Sequence, residues 1–116
     1  MHDLTKLNIW HKAMELSTIV YELTAKFPRE EKYGLTSQIR RSAVSVPSNI
    51  AEGAGRNSTK EFIYFLSVSN GSSYELQTQL ILSKKLKLIN DDVNQVLDQI
   101  NQIQKKNYSL QKKLTS

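Results

Sequence analysis

The chain has 116 residues, with 16 lysines and arginines against 11 aspartates and glutamates, a formal net charge of +5 and no cysteine. That length supports one domain able to bury a sizeable core, and the missing thiols exclude disulfides, thiolate metal sites and a cysteine nucleophile. The basic balance favours polyanionic partners. No apolar run approaches the roughly 20 residues needed to span a bilayer, and Met1–Lys6 lacks the basic-then-apolar design of a secretory signal. Only four glycines and two prolines call for long regular elements and few turns. An all-helical, soluble, cytoplasmic domain is expected.

The first helix is expected over about residues 5–27. Ile9, Ala13, Leu16, Val20, Leu23 and Phe27 form one apolar stripe, and Leu7, Trp10, Met14 and Tyr21 form a second beside it, giving an unusually wide arc. Pro28 stops it, because the residue before a proline is pushed out of the α region. A charged connector, Arg29–Gly34, follows.

The second helix is expected over about residues 36–54. Leu35, Ile39, Ala43, Val46 and Ile50 recur at the spacing of one buried face. Along another face run Gln38, Arg41, Ser45, Ser48, Glu52 and Arg56, a set of amides, hydroxyls and few charges that marks an interface rather than plain surface. Pro47 lies inside this helix and removes one amide while crowding the Ala43 carbonyl. It either kinks the helix, with Ser48 or Asn49 meeting freed backbone groups, or opens a new segment after a break at Val46.

Ser58-Thr59-Lys60-Glu61 has the form of a capping box and starts a third helix over about residues 59–88, carrying Phe62, Phe65, Leu66, Leu76, Leu80 and Leu86 inward. Its middle, Ser67–Ser73, is small and polar. A continuous helix is expected there, its small residues letting a neighbouring backbone approach. The fourth helix is expected over about residues 91–113, capped by Asn90 or Asp91, with Asp91 and Asp92 facing the positive end of its dipole. Val93, Val96, Ile100, Ile103, Asn107, Leu110 and Leu114 hold a three-four seam with one polar member, Asn107. Short connections make neighbours antiparallel, so the expected fold is an antiparallel up-down-up-down four-helix bundle.

This topology gathers Lys6, Lys12, Arg56, Lys60, Lys105, Lys106, Lys112 and Lys113 at one end, against only Asp3, Glu52 and Glu61. The other end is closer to balance. A polyanion would be drawn to the first through phosphate contacts, and an oligomer ringing an axis would multiply it into a basic collar. Arg40, Arg41, Arg56, Lys60, Lys105, Lys106, Lys112 and Lys113 are the candidate nucleic-acid-binding residues. Gln38, Ser45, Asn49 and Glu52 are the candidate oligomer interface. Few exposed aromatics are expected, so shape and phosphate contacts would dominate recognition.

Nothing in the chain points to catalysis. His2 and His11 have no acidic residue at a useful metal spacing, and no histidine is placed to activate Ser45 or Ser48. The glycines do not form a phosphate-cradling loop, and the Glu-x-x-His pairs of a carboxylate metal bundle are absent. No enzyme, cofactor or metal is expected.

The run Tyr33–Gly53, containing Gln38-Ile39-Arg40-Arg41 and Val46-Pro47-Ser48-Asn49-Ile50-Ala51-Glu52-Gly53, resembles a bacterial family when taken with later positions. These are Arg56, Ser58, Glu61-Phe62, Phe65-Leu66, Gly71-Ser72, Glu75-Leu76 and Gln79-Leu80. The family is that of four-helix-bundle proteins encoded within 23S rRNA intervening sequences, and the accessory proteins of diversity-generating retroelements look like its relatives. The likeness covers roughly Leu7 to Leu88. Ser42 and Val46 stand where alanine and isoleucine are expected, and the third helix closes with Lys87-Leu88-Ile89-Asn90 and no glycine. The resemblance implies a ring-shaped homo-oligomer, a pentamer, in which Arg40, Arg41, Asn49, Glu52 and Arg56 serve packing or binding. Through the retroelement relatives it implies binding to RNA and a reverse transcriptase. Two readings follow: an oligomeric module for structured RNA or a ribonucleoprotein, or a homo-oligomeric scaffold that binds another protein and neither RNA nor DNA.

Overall fold

Four α-helices account for most of the chain: α1 (Asn8–Thr24), α2 (Leu35–Ala54), α3 (Thr59–Lys85) and α4 (Asn94–Thr115), with 3₁₀ turns at Leu4–Lys6 and Arg29–Glu31. The computed structural model describes every residue, Met1–Ser116. At 1.5 Å per residue, the 27-residue α3 spans about 40 Å and sets the 44 Å long axis of the molecule.

The apolar stripes read from the sequence close on one another. Ile9, Ala13, Leu16 and Val20 of α1 meet Ile39, Ala43, Val46 and Ile50 of α2, Phe62, Leu66, Leu76 and Leu80 of α3, and Val96, Ile100 and Ile103 of α4 in one core. Leu86, 56% exposed beyond the end of α3, and Met14 and Tyr21 of the second α1 stripe stay outside it. Asn107, the polar member of the α4 seam, is buried. Its Nδ2 donates to the Leu66 carbonyl at 2.9 Å and its Oδ1 accepts from Gln111, which fixes how α4 sits along α3.

The α2–α3 contact is the most intimate. Ser69 Oγ donates to the Val46 carbonyl at 2.8 Å, and the Ser45 and Ser72 hydroxyls share a hydrogen bond at 2.7 Å. The small middle of α3 therefore works as expected, through Ser69, Ser72 and Ser73, which are buried; Gly71 faces open space. Closer to the turn, a Cβ on Gly53 would lie 2.9 Å from both Phe62 Cδ1 and Phe65 Cβ. Only glycine lets the start of α3 fold back on α2 so tightly.

Helix ends depart from expectation for identifiable reasons. The first helix starts at Asn8 rather than Thr5, because Asp3 Oδ1 accepts from the Thr5 amide and closes a separate 3₁₀ turn. It ends at Thr24, and Phe27 is buried from outside the helix. The fourth starts at Asn94 rather than Asp91, and neither Asn90 nor Asp91 caps it. Asp91 instead pairs with Lys26 at 2.6 Å, while Lys84 Nζ takes the Asn90 and Asp91 carbonyls. Asp92 Oδ1 accepts from the Asn94 amide.

The third helix stops at Lys85 because Lys87 adopts a left-handed conformation, φ 59°. The Lys87 amide bonds the Lys84 carbonyl and the Leu88 amide bonds the Ser83 carbonyl, the pairing of a Schellman cap. A side chain in that conformation costs about 1 kcal/mol that glycine avoids. Lys87→Gly is accordingly expected to raise stability by about 1 kcal/mol, read as a higher urea midpoint at unchanged slope.

Across Pro47, α2 continues without a break. The Ala43 carbonyl, which a proline nitrogen cannot serve, lies 3.0 Å from Ser17 Oγ of α1, and Asn49 Nδ2 donates to the Ser45 carbonyl at 2.8 Å. Pro47 leaves only the Ala43 carbonyl without its amide, so the Asn49 bond to Ser45 is not the role expected for it. Ser17 on the neighbouring helix, not Ser48 or Asn49, reaches the orphaned carbonyl.

Candidate nucleic-acid interface

Burial of Ile100, Ile103 and Asn107 along α4 turns Lys105 and Lys106 outward, and both are exposed. The capped 3₁₀ turn at the chain start brings Lys6 to the same face. Lys6, Asn8, Lys105, Lys106 and Ser109 line a hollow of about 410 Å³ over a floor of Leu7, Ile9 and Leu110. No carboxylate lines it, so its three lysines border a common space with no opposite charge on its lining.

On the other side of Lys105, between α3 and α4, lies a second hollow of about 610 Å³. Asn70, Tyr74, Asn101, Gln104, Lys105, Tyr108 and Ser109 line it, again with no carboxylate. Gln104 Nε2 is tied to Ser73 Oγ at 3.2 Å and to Gln77 Oε1 at 3.0 Å. Lys112 Nζ stands 5.7 Å from the centre of the Tyr108 ring. Lys60, Lys112 and Lys113 are exposed.

Two of the arginines expected to bind are committed within the chain. Arg56 pairs with Glu52, approaches Glu61 Oε2 at 3.9 Å and lies over the Phe65 ring. Arg40 donates from Nε to Thr24 Oγ1 at 2.8 Å and from Nη2 to the Tyr21 carbonyl at 3.2 Å, with its guanidinium over the Tyr21 ring. It closes the C-terminal turn of α1, where a cation complements the helix dipole. Arg41 is exposed beside Lys32, Tyr33, Ser37 and Ser48 in a hollow of about 660 Å³. Arg40 and Arg41 therefore lie near the end of α1, away from Lys6 at its start.

Both histidines are also in use. His11 Nε2 lies 2.7 Å from the Thr5 carbonyl, and the His2 ring packs on Phe62. Nowhere do three histidine or acidic side chains converge in a group able to hold a metal.

A family model described as "23S rRNA-intervening sequence protein" matches residues 5–109. The chain belongs to that family. No curated protein matches it. A crystal structure of a protein of unknown function from the S23 ribosomal protein family of Bacteroides thetaiotaomicron is similar, with a TM-score of 0.82 and 24% identity. The match covers 90% of this chain and 95% of that one, and at that identity it speaks for the fold.

In this member of the intervening-sequence protein family, the α2 run that carries the resemblance is divided by the structure. Ser45 and Asn49 are half-buried, with Ser45 bonded to Ser72 and Asn49 bonded back to Ser45. Gln38 and Glu52 are exposed, and Glu52 holds Arg56. Alongside, Leu4, Trp10, Met14, Tyr21, Val44, Pro47 and Ala51 line a largely apolar groove of about 620 Å³ between α1 and α2, with Glu22 and the hydroxyls of Ser17, Thr18 and Ser48 also on its lining.

The expectation of few exposed aromatics is overturned. All five tyrosines are exposed, among them Tyr33 at 88%, Tyr108 at 67% and Tyr74 at 54%. The sequence does carry a signal for Tyr108, which stands between Lys105-Lys106 and Lys112-Lys113 and off the buried seam. Tyr74 has no such signal, because its neighbours on the site come from a different helix.

Proposed function

We propose that this family member is a non-enzymatic, cytoplasmic, antiparallel up-down-up-down bundle that assembles into a ring-shaped homo-oligomer and binds nucleic acid through the α4 face. The target class is structured RNA or a ribonucleoprotein, of which one built on a reverse transcriptase is the analogue suggested by fold and charge. One observation carries the binding reading: Lys6, Lys105 and Lys106 share a hollow that no carboxylate lines. The antiparallel order is supported by how bonded pairs fall along the helices. Position 17 meets 43 and 24 meets 40, then 45 meets 72 and 46 meets 69, then 66 meets 107 and 73 meets 104.

The deciding experiment titrates the purified protein with a structured RNA and a duplex DNA across a salt series. Binding that weakens steeply with salt, and favours one polymer, is the expected result, since each neutralised phosphate adds about 0.7–0.9 to the slope. No binding at low salt would defeat the reading.

The apolar α1–α2 groove favours the assembly part of the proposal, and the scaffold alternative with it. Glu22 already borders this groove; a second carboxylate, set between Trp10, Tyr21 and Val44, cannot be covered without losing its hydration. Met14→Glu is therefore expected to dissociate the oligomer in sedimentation, with Met14 half-exposed in the single chain and little needed for its fold. An unchanged oligomer would place the subunit contact elsewhere.

A further inference from the structure

The two hollows of the α4 face meet along Lys105 and differ in chemistry. One presents ammonium groups. The other presents two phenol rings and the side-chain amides of Asn70 and Asn101. The bonded pairs 66–107 and 73–104 place Tyr108 towards the Leu66 end of this second hollow and Tyr74 towards the Asn101 end. Gln104, tied to Ser73 and Gln77, holds its floor. The Asn70 side chain makes no hydrogen bond to another side chain or to the backbone and is part-exposed where it lines the hollow. An uncommitted amide there can meet a group that carries donors and acceptors on one edge.

An unpaired nucleotide has these three properties together. Its base offers a flat face to a tyrosine ring and an edge of donors and acceptors to an amide, and its phosphate suits a lysine. A duplex hides the base faces within its own stack and offers the tyrosines nothing. We propose that the α3–α4 hollow seats an unpaired base of a single-stranded segment on Tyr74 and Tyr108, with the flanking phosphates along Lys105, Lys106 and Lys6. The inference rests on the α4 face being a nucleic-acid surface and adds which form of nucleic acid it takes.

The test is fluorescence anisotropy with a labelled single-stranded RNA oligonucleotide and with the duplex of the same strand. Wild-type protein is expected to prefer the single strand. Tyr74→Ala and Tyr108→Ala are each expected to lose about tenfold or more on the single strand, with duplex affinity and salt slope unchanged. Tyr74→Phe and Tyr108→Phe, which keep the ring, are expected to retain binding, and thermal melts of all four check the fold. Alanine variants that bind the single strand as tightly as wild type would overturn the base seat while leaving the basic face standing. Equal or tighter wild-type binding to duplex would do the same. Binding of neither polymer would overturn the seat and the basic face together.

Discussion

Lys105→Glu combined with Lys106→Glu is expected to abolish nucleic-acid binding and leave the fold intact. Both side chains are exposed and neither joins an ion pair of the chain, while the packing of this turn is carried by Ile103 and Asn107. Glutamate and lysine have similar helix propensities, so α4 tolerates the exchange. Reversal removes two attractions to phosphate and adds two repulsions, each about 1 kcal/mol at contact distance in water. The sum is on the order of 4 kcal/mol, or about a thousandfold in affinity. Lys112 and Lys113 belong to the same face, but they also sit in the last turn of α4 and complement its dipole. Reversing them would fray the helix and confuse the readout, so glutamine is the better substitution there. Anisotropy at low salt measures the loss, and circular dichroism confirms the fold. Unchanged affinity in the double variant would remove the α4 face as the binding surface.

What was legible in the sequence follows from how local each signal is. The stripes through Ile9, Ala13, Leu16 and Val20, and through Ile39, Ala43, Val46 and Ile50, depend only on helical spacing, and all of these residues are buried. The Ser58 cap is equally local, and its Oγ accepts from the Glu61 amide, whereas the Glu61 carboxylate, which would close the box, lies towards Arg56. Helix ends depend on tertiary contacts. Asp91 was free in the sequence to cap α4, but Lys26, 65 residues away, claims its carboxylate. Charge behaves the same way. Lys105 and Lys106 stay exposed and outside any ion pair of the chain, because nothing across the bundle neutralises them. Arg40 and Arg56 look equivalent in sequence, yet Arg40 is spent on the end of α1 and Arg56 on two carboxylates. Tyr74 joins the site only through the α3–α4 register, which Asn107 and Gln104 fix across 41 and 31 residues of chain.

Pro47→Ala is expected to stabilise the chain, and the size of the gain depends on Ser17. Proline inside a helix costs about 3 kcal/mol relative to alanine, through its missing amide and its clash with the carbonyl four residues back. Pro47 is buried, so truncation forfeits about two methylene groups of packing at about 0.8 kcal/mol each. A net gain of roughly 1.5 kcal/mol remains. Ser17 Oγ lies 3.0 Å from the orphaned Ala43 carbonyl, a hydrogen bond worth about 1 kcal/mol. Ser17→Ala should lose about that amount in the chain that keeps Pro47. In the Pro47→Ala background, where the restored backbone amide reaches the Ala43 carbonyl, it should lose almost nothing. Urea unfolding of the four proteins at one protomer concentration gives the coupling directly. An equal Ser17→Ala loss in both backgrounds would mean that the hydroxyl serves Ala13, which it also approaches at 3.0 Å, rather than the carbonyl that Pro47 leaves free. Pro47 also lines the apolar α1–α2 groove. Its ring is already buried in the single chain, so Pro47→Ala should strengthen the protomer and leave association in sedimentation unchanged. A loss of association would mean that the proline shapes the subunit contact.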